Sequence, residues 1–140
     1  MQEIEVGQLW VGHAMDTRDP HSLFDLGIRA VVDLAYEEPP TPLPRQLIYC
    51  RFPILDGAGN DAIVLQLALQ TIVDLLRSGH RTLVACSAGM SRSPTLTAFA
   101  LATFRGETPE AVLQRIAASR ALEVKGPLWN EVAALFSKIR

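Results

Sequence analysis

The 140-residue sequence is short of several features that would fix its class at once. It has two cysteines, Cys50 and Cys86, too few for a disulfide-built scaffold and too far apart for a Cys-x-x-Cys redox or zinc motif, so a reducing, cytoplasmic setting is expected. Its three histidines, His13, His21 and His80, are scattered, and none joins a second His, Cys or carboxylate at metal-ligand spacing. No metal and no other cofactor is expected. Lysine is scarce, and thirteen basic against fifteen acidic residues give a net charge of -2. That balance supplies no global basic field, so neither nucleic acid nor a membrane surface is an expected partner. Long apolar runs are missing too: the richest stretch, 62–76, is interrupted by Gln66, Gln70 and Asp74. The opening MQEIEVGQLWVGH lacks a basic region followed by an apolar core, so no secretory leader or membrane span is expected.

What is present is the composition of a folded chain, 49% apolar and 20% charged. At this length one hydrophobic core is the default, and residues 1–140 are expected to form a single, monomeric domain. Apolar residues clustered between Gly7 and Gly12 predict two short strands around a turn over 3–12. Asp19-Pro20 opens a short helix through 22–26 that Gly27 ends, and IRAVVDLA at 28–35 reads as a buried strand. EEPPTPLP at 37–44 carries four prolines and must be a loop, followed by a strand at 46–52. Leu65, Leu69, Ile72, Val73 and Leu76 recur at three-to-four spacing and predict an amphipathic helix over 62–76. A strand at 82–85, a loop at 86–94, and helices from Pro94 to Phe104, from Thr108 to Ser119 and from Gly126 onward complete the chain. Alternating strands and helices predict an α/β fold, a mostly parallel or mixed sheet flanked by helices. Ligands in such sheets bind beyond the carboxyl ends of the strands, and Cys86 stands at the end of the 82–85 strand.

A loop leading from a buried strand into a helix presents several backbone N–H groups to an anion. In CSAGMSRS those groups belong to Ser87, Ala88, Gly89, Met90, Ser91 and Arg92. A thiol placed at the start of such a loop is expected to ionise more readily, and the thiolate is a nucleophile. Arg92 stands where the loop enters the helix, and its fork can hold two oxygens of a bound phosphate beside the sulfur. Gly89 permits close approach of the backbone and a φ that other residues resist. Ser93 adds a hydroxyl that can hydrogen-bond a departing sulfur. Cys50 is read as a packing residue, and Arg51, Arg105 and Arg120 as solvated or packing side chains.

The stretch Ala85-Cys86-Ser87-Ala88-Gly89-Met90-Ser91-Arg92-Ser93 resembles the His-Cys-x5-Arg-Ser/Thr signature of the cysteine-dependent protein tyrosine phosphatases, and within them the small dual-specificity phosphatases. LWVGH at 9–13 and GIRAVVDLA at 27–35 are similar to further family strands, so the resemblance spans nearly the whole chain. It implies a dual-specificity phosphatase-like fold and metal-independent hydrolysis of phosphomonoesters. The substrates it implies are phosphotyrosine first, with phosphoserine and phosphothreonine as a further class, on proteins, or small phosphomonoesters. By resemblance, FPILDGAGND at 52–61 is the general-acid loop with Asp56 in the matching place, and Asp61 is the competing carboxylate or the cap of the next helix. The implied chemistry is a phosphocysteine on Cys86, with Arg92 and the loop amides on the phosphate oxygens, Asp56 as acid and then base, and Ser93 easing thiolate departure.

Ala85 replaces the family's histidine, a residue understood to orient the loop and tune the thiolate; a higher Cys86 pKa or a looser loop is the expected consequence. The same replacement motivates a phosphate-binding pseudophosphatase that recognises phosphoproteins. A rhodanese-like or arsenate-reducing enzyme would want a resolving thiol, for which Cys50 is the one candidate. Low-molecular-weight phosphatases carry a similar motif near the N-terminus, whereas here it follows residue 85.

Overall fold

The computed structural model describes residues 1–140. Strands β1 (Gln2–Glu5), β2 (Leu9–His13), β3 (Ala30–Ala35), β4 (Ile48–Ile54) and β5 (Thr82–Cys86) form one sheet in the order β1-β2-β5-β3-β4. Only β1 runs antiparallel to its neighbour; the pairs β2·β5, β5·β3 and β3·β4 are parallel. The helices are α1 (Ala14–Thr17), α2 (Pro20–Asp25), α3 (Ala62–Arg77), α4 (Arg92–Arg105), α5 (Pro109–Ala117) and α6 (Gly126–Ala133), with a closing 3-10 turn at Phe136–Lys138. The expected mixed α/β sheet with flanking helices is what forms. No helix is long and apolar enough to cross a membrane.

The central strand β5 is buried along its whole length because both faces of the sheet are covered. Its alternation sends Val84 and Cys86 into the larger core, with α3 residues Leu65, Leu69 and Ile72 and α4 residues Leu96 and Phe99. Leu83 and Ala85 point the other way, into a smaller cluster with Trp10, Leu23, Ile28, Val31 and Leu47. Ala85 is thus a packing residue on the face opposite the thiol. Phe99 packs against Trp129 in a tilted arrangement, ring centres 4.6 Å apart, and edge-on against Phe136 at 5.3 Å, which ties α6 and the C-terminal turn to α4.

Several helix starts follow their local chemistry. Asp19 accepts from Ser22 N–H before Pro20, Asp61 accepts from Ile63 N–H, and Thr108 accepts from Ala111 N–H before Pro109. Some boundaries move. The one-turn α1 has no apolar period to announce it. β4 begins at Ile48 because the Leu47 N–H closes a turn onto the Pro44 carbonyl. The main shift concerns α4, which starts at Arg92 and not at Pro94. Pro94 is the third helical residue, where its missing N–H is no loss. Arg92 and Ser93 therefore sit on the first helical turn, and the loop after β5 shortens to residues 87–91.

Candidate active site

Strand β5 delivers Cys86 to the carboxyl edge of the sheet, and the chain turns through 87–91 into α4. Cys86 is buried, with its Sγ 3.2 Å from the Ser93 hydroxyl oxygen and 3.4 Å from the Ser93 backbone N, which donates to it. The Ser93 hydroxyl also lies 3.3 Å from the Gly12 carbonyl of β2. The loop is anchored from three directions: Ala14 N–H donates to the Ser87 carbonyl, Glu123 N–H to the Met90 carbonyl, and Lys125 N–H to Ser91 Oγ.

At the apex Gly89 has φ +72°, and a Cβ there would stand 2.8 Å from both the Gly12 carbonyl oxygen and Arg120 Nη2. Only glycine satisfies both the left-handed backbone and the close approach. Arg120, read from sequence as a solvated or packing residue, donates to the Val11 carbonyl at 2.9 Å and so backs the loop.

Arg92 is buried and reaches across to two other elements. Nη1 donates to Glu37 Oε1 at 2.6 Å and to the Ile54 carbonyl at 2.9 Å, and Nη2 donates to Glu37 Oε2 at 2.8 Å. Its Nε has no partner. The hydrogen bonds from Arg92 hold the Glu37 carboxyl well down, to about 2, and against the opposing pull of burial the Arg92 guanidinium is kept above its usual value by Glu37 and by the nearby Cys86.

Cys86, Ser87, Ala88, Met90, Ser91 and Arg92 line a cavity of about 180 Å³. Asp56 reaches that cavity from the loop after β4; Asp61 does not, because its carboxylate caps α3. The Asp56 loop is held by side chains. Asn60 accepts from Leu55 N–H at 2.7 Å and donates to the Leu55 and Gly57 carbonyls, while Glu131 of α6 accepts from Gly59 N–H, Asn60 N–H and the Asn60 amide.

The arrangement brings a sulfur, a guanidinium, a hydroxyl and a carboxylate to one small cavity, an assembly suited to a tetrahedral oxyanion beside a nucleophile. Cys50 is not part of it: it pairs with Val32 on β3, which separates β4 from β5, and both cysteines are free. A resolving role for Cys50 against Cys86 is therefore overturned by the strand order.

Sequence reasoning missed Glu37, Asn60, Glu123, Lys125 and Glu131, all placed around the cavity or its loops. Glu37 carried a usable signal, since it follows the carboxyl end of a buried parallel strand, where ligand sites collect. Glu131 carried none; a helix residue 71 positions from its partner Asn60 is linked to it only by the tertiary fold.

No family model matches the chain. Among curated proteins it is similar to dual specificity protein phosphatase 15 of mouse, 28% identical over 127 residues that cover 88% of this chain and 52% of the relative. The rat protein of the same name is 29% identical over the same shares. The chain thus spans about half the length of the curated relatives it matches. In three dimensions it is similar to human DUSP28, with TM-score 0.85 at 20% identity over 99% of this chain and 96% of that one. It is also similar to the human tyrosine phosphatase-like serine/threonine/tyrosine-interacting protein, with TM-score 0.84 at 18% identity over the same shares. Those likenesses establish the fold. In sequence the chain is similar to dual-specificity phosphatases, over about half of their length.

Proposed function

We propose that the protein hydrolyses phosphomonoesters, above all phosphotyrosine in proteins and also phosphoserine and phosphothreonine, through a phosphocysteine on Cys86. The observation that carries this reading is the meeting of Cys86 Sγ, the Ser93 hydroxyl at 3.2 Å, Arg92 and Asp56 at one cavity of about 180 Å³. The Cys86 thiolate attacks phosphorus, and the S–P bond forms as the bond to the leaving oxygen breaks. Arg92 and the backbone N–H groups of 87–92 take the phosphate oxygens, and Asp56 gives its proton to the leaving oxygen. The Asp56 carboxylate then accepts a proton from water, whose oxygen attacks phosphorus. The S–P bond breaks, and the sulfur leaves as a thiolate stabilised by a hydrogen bond from Ser93.

Ala88 and Met90 line the cavity with apolar surface where a lysine would favour a multiply charged headgroup, and this fits the ring of an aryl phosphate. The two free thiols suit a reducing compartment such as the cytoplasm.

The test is hydrolysis of an aryl phosphate in EDTA by the wild type and Cys86→Ser between pH 5 and 8. Turnover that survives the chelator and disappears in the variant is the expected result. A second reading, phosphoprotein recognition without turnover, is favoured by Ala85, which fills the position of the family's histidine and packs into the smaller apolar cluster. Absent turnover, with a phosphopeptide still bound by the wild type and lost in Arg92→Ala, would replace the hydrolase with that reading.

A further inference from the structure

The segment LDGAGN at 55–60 gives the core little to hold. Leu55, Asp56, Ala58 and Gly59 are exposed, and two glycines add backbone freedom. Apart from one local bond, Gly57 N–H to the Leu55 carbonyl at 2.9 Å, every hydrogen bond these residues make passes through the Asn60 side chain or Glu131. The Asn60 amide holds both neighbours of Asp56. Its oxygen accepts from Leu55 N–H at 2.7 Å, and its nitrogen donates to the Leu55 carbonyl at 3.1 Å and the Gly57 carbonyl at 3.0 Å. Glu131 holds Asn60 in turn. One carboxylate oxygen accepts from Asn60 N–H at 3.3 Å and from its amide nitrogen at 3.1 Å, and the other accepts from Gly59 N–H at 2.9 Å.

The helix that carries Glu131 is itself firmly placed. Leu128 and Val132 of α6 are buried, and Trp129 packs on Phe99 of α4. The chain just before α6 is bonded to loop 87–91, through Glu123 N–H to the Met90 carbonyl at 2.9 Å and Lys125 N–H to Ser91 Oγ at 3.1 Å. One short helix thus meets the loop after Cys86 at its start and the Asp56 loop at Glu131. From Gly126 to Glu131 it spans about 8 Å, a fixed spacer between the two.

We propose that Glu131 is a positioning residue for the proton donor: from α6 it fixes Asn60, and through Asn60 the backbone on either side of Asp56, at a set distance from loop 87–91. The role deepens the proposed hydrolase and rests on that reading. A general acid works only within hydrogen-bond reach of the leaving oxygen, so a loop set adrift by about 1 Å loses much of its effect. The loss falls unequally on substrates. A weakly basic leaving oxygen departs without help, whereas a strongly basic one needs the proton.

The experiment compares phenyl phosphate, with a strongly basic leaving oxygen, and p-nitrophenyl phosphate, with a weakly basic one, in the wild type, Glu131→Ala, Asp56→Asn and the double variant. Glu131→Ala is expected to lower kcat/KM about 10- to 100-fold on phenyl phosphate and only about 2- to 3-fold on p-nitrophenyl phosphate. In the Asp56→Asn background the same substitution should cost nothing further, because the group it positions is gone. Calorimetric titration of inorganic phosphate should give the wild-type affinity in Glu131→Ala, since Arg92 and loop 87–91 are untouched. Should Glu131→Ala fail to fold, Glu131→Gln keeps the size but turns an NH2 toward N–H donors that need an acceptor, and it serves in its place. Equal losses on the two esters, or a loss that persists in full beside Asp56→Asn, would reduce Glu131 to a structural residue and overturn the proposal. Weakened phosphate binding would overturn it as well, by placing the effect on loop 87–91. A wild type that turns over neither ester would defeat the hydrolase and the positioning role together, an outcome distinct from an active wild type whose Glu131→Ala shows no leaving-group dependence.

Discussion

Residues 87–91 and residues 55–61 border the same cavity but are anchored by different means. The first segment runs out of the most buried strand and into a helix whose first eleven residues are buried, and its backbone and Ser91 are fastened to α1 and to the 123–125 segment. The second leaves an edge strand and is exposed at Leu55, Asp56, Ala58 and Gly59. It is tethered mainly through two side chains, Asn60 and Glu131. On the proposed mechanism, the groups that would hold the anion sit on the segment built into the core, and the carboxylate that would meet a leaving oxygen and then a water sits on the segment held at the surface. Damage to the first should therefore cost folding and chemistry together, and damage to the second should cost chemistry alone.

Gly89→Ala tests the first half of that contrast and has the largest expected effect. The added Cβ combines a disfavoured φ with a backbone clash against Gly12. The expected cost is about 2–3 kcal/mol of stability and about 100-fold or more in kcat/KM, as the loop amides shift from the phosphate. Thermal melting and aryl phosphate kinetics measure both. A variant that melts with the wild type would show the loop to be less tightly built than its contacts indicate.

Asp56→Asn tests the second half. The residue is exposed, so melting should be unchanged. The rate should fall about 100-fold, with the limb of the pH–rate profile belonging to the general acid lost. An unaltered profile would move the acid role away from Asp56. Asn60→Ala comes next in size. Removing the amide frees Leu55 and Gly57 from their tether, and kcat should fall about 10-fold through poorer placement of Asp56. Melting should move less than in Gly89→Ala. Equal losses of stability in the two variants would erase the distinction between the loops.

The same contrast governs how much could be read from the sequence. The order of strands and helices was legible because burial imposes period: β5 and α3 carry runs that only a covered strand and an amphipathic helix explain. The segment from Cys86 to Ser93 was legible because strand, glycine, arginine and helix follow one another along the chain. Asp56 needed the family resemblance, since Asp-Gly in a loop is also an ordinary turn, whereas Asp61 was legible as the cap of the next helix, and it does cap α3. The start of α4 was misplaced because proline reads as a helix opener, whereas here it occupies the third position of the first turn. Glu37, Asn60 and Glu131 act across 55, 5 and 71 positions of sequence, and the two long-range partners have no local signature at all.

The smallest expected effect concerns acid stability and the grip on Arg92. Glu37 is held at about 2 in the folded protein against an ordinary value of 4.5, chiefly by hydrogen bonds from Arg92. A depressed carboxyl stabilises the fold fully above pH 4.5, and that contribution drains away as the pH falls from 4.5 through 2. The Glu37 side chain is 53% exposed, so solvent screening holds the contribution to about 1 kcal/mol. Glu37→Gln removes the titrating group. Its melting temperature should lie below that of the wild type at pH 6, and the two curves should converge as the pH approaches 2, because protonated glutamic acid and glutamine then offer Arg92 similar neutral acceptors. Melting curves that stay parallel across that range would place the acid sensitivity of the fold elsewhere and leave the Glu37 carboxylate with no measurable hold on the buried arginine.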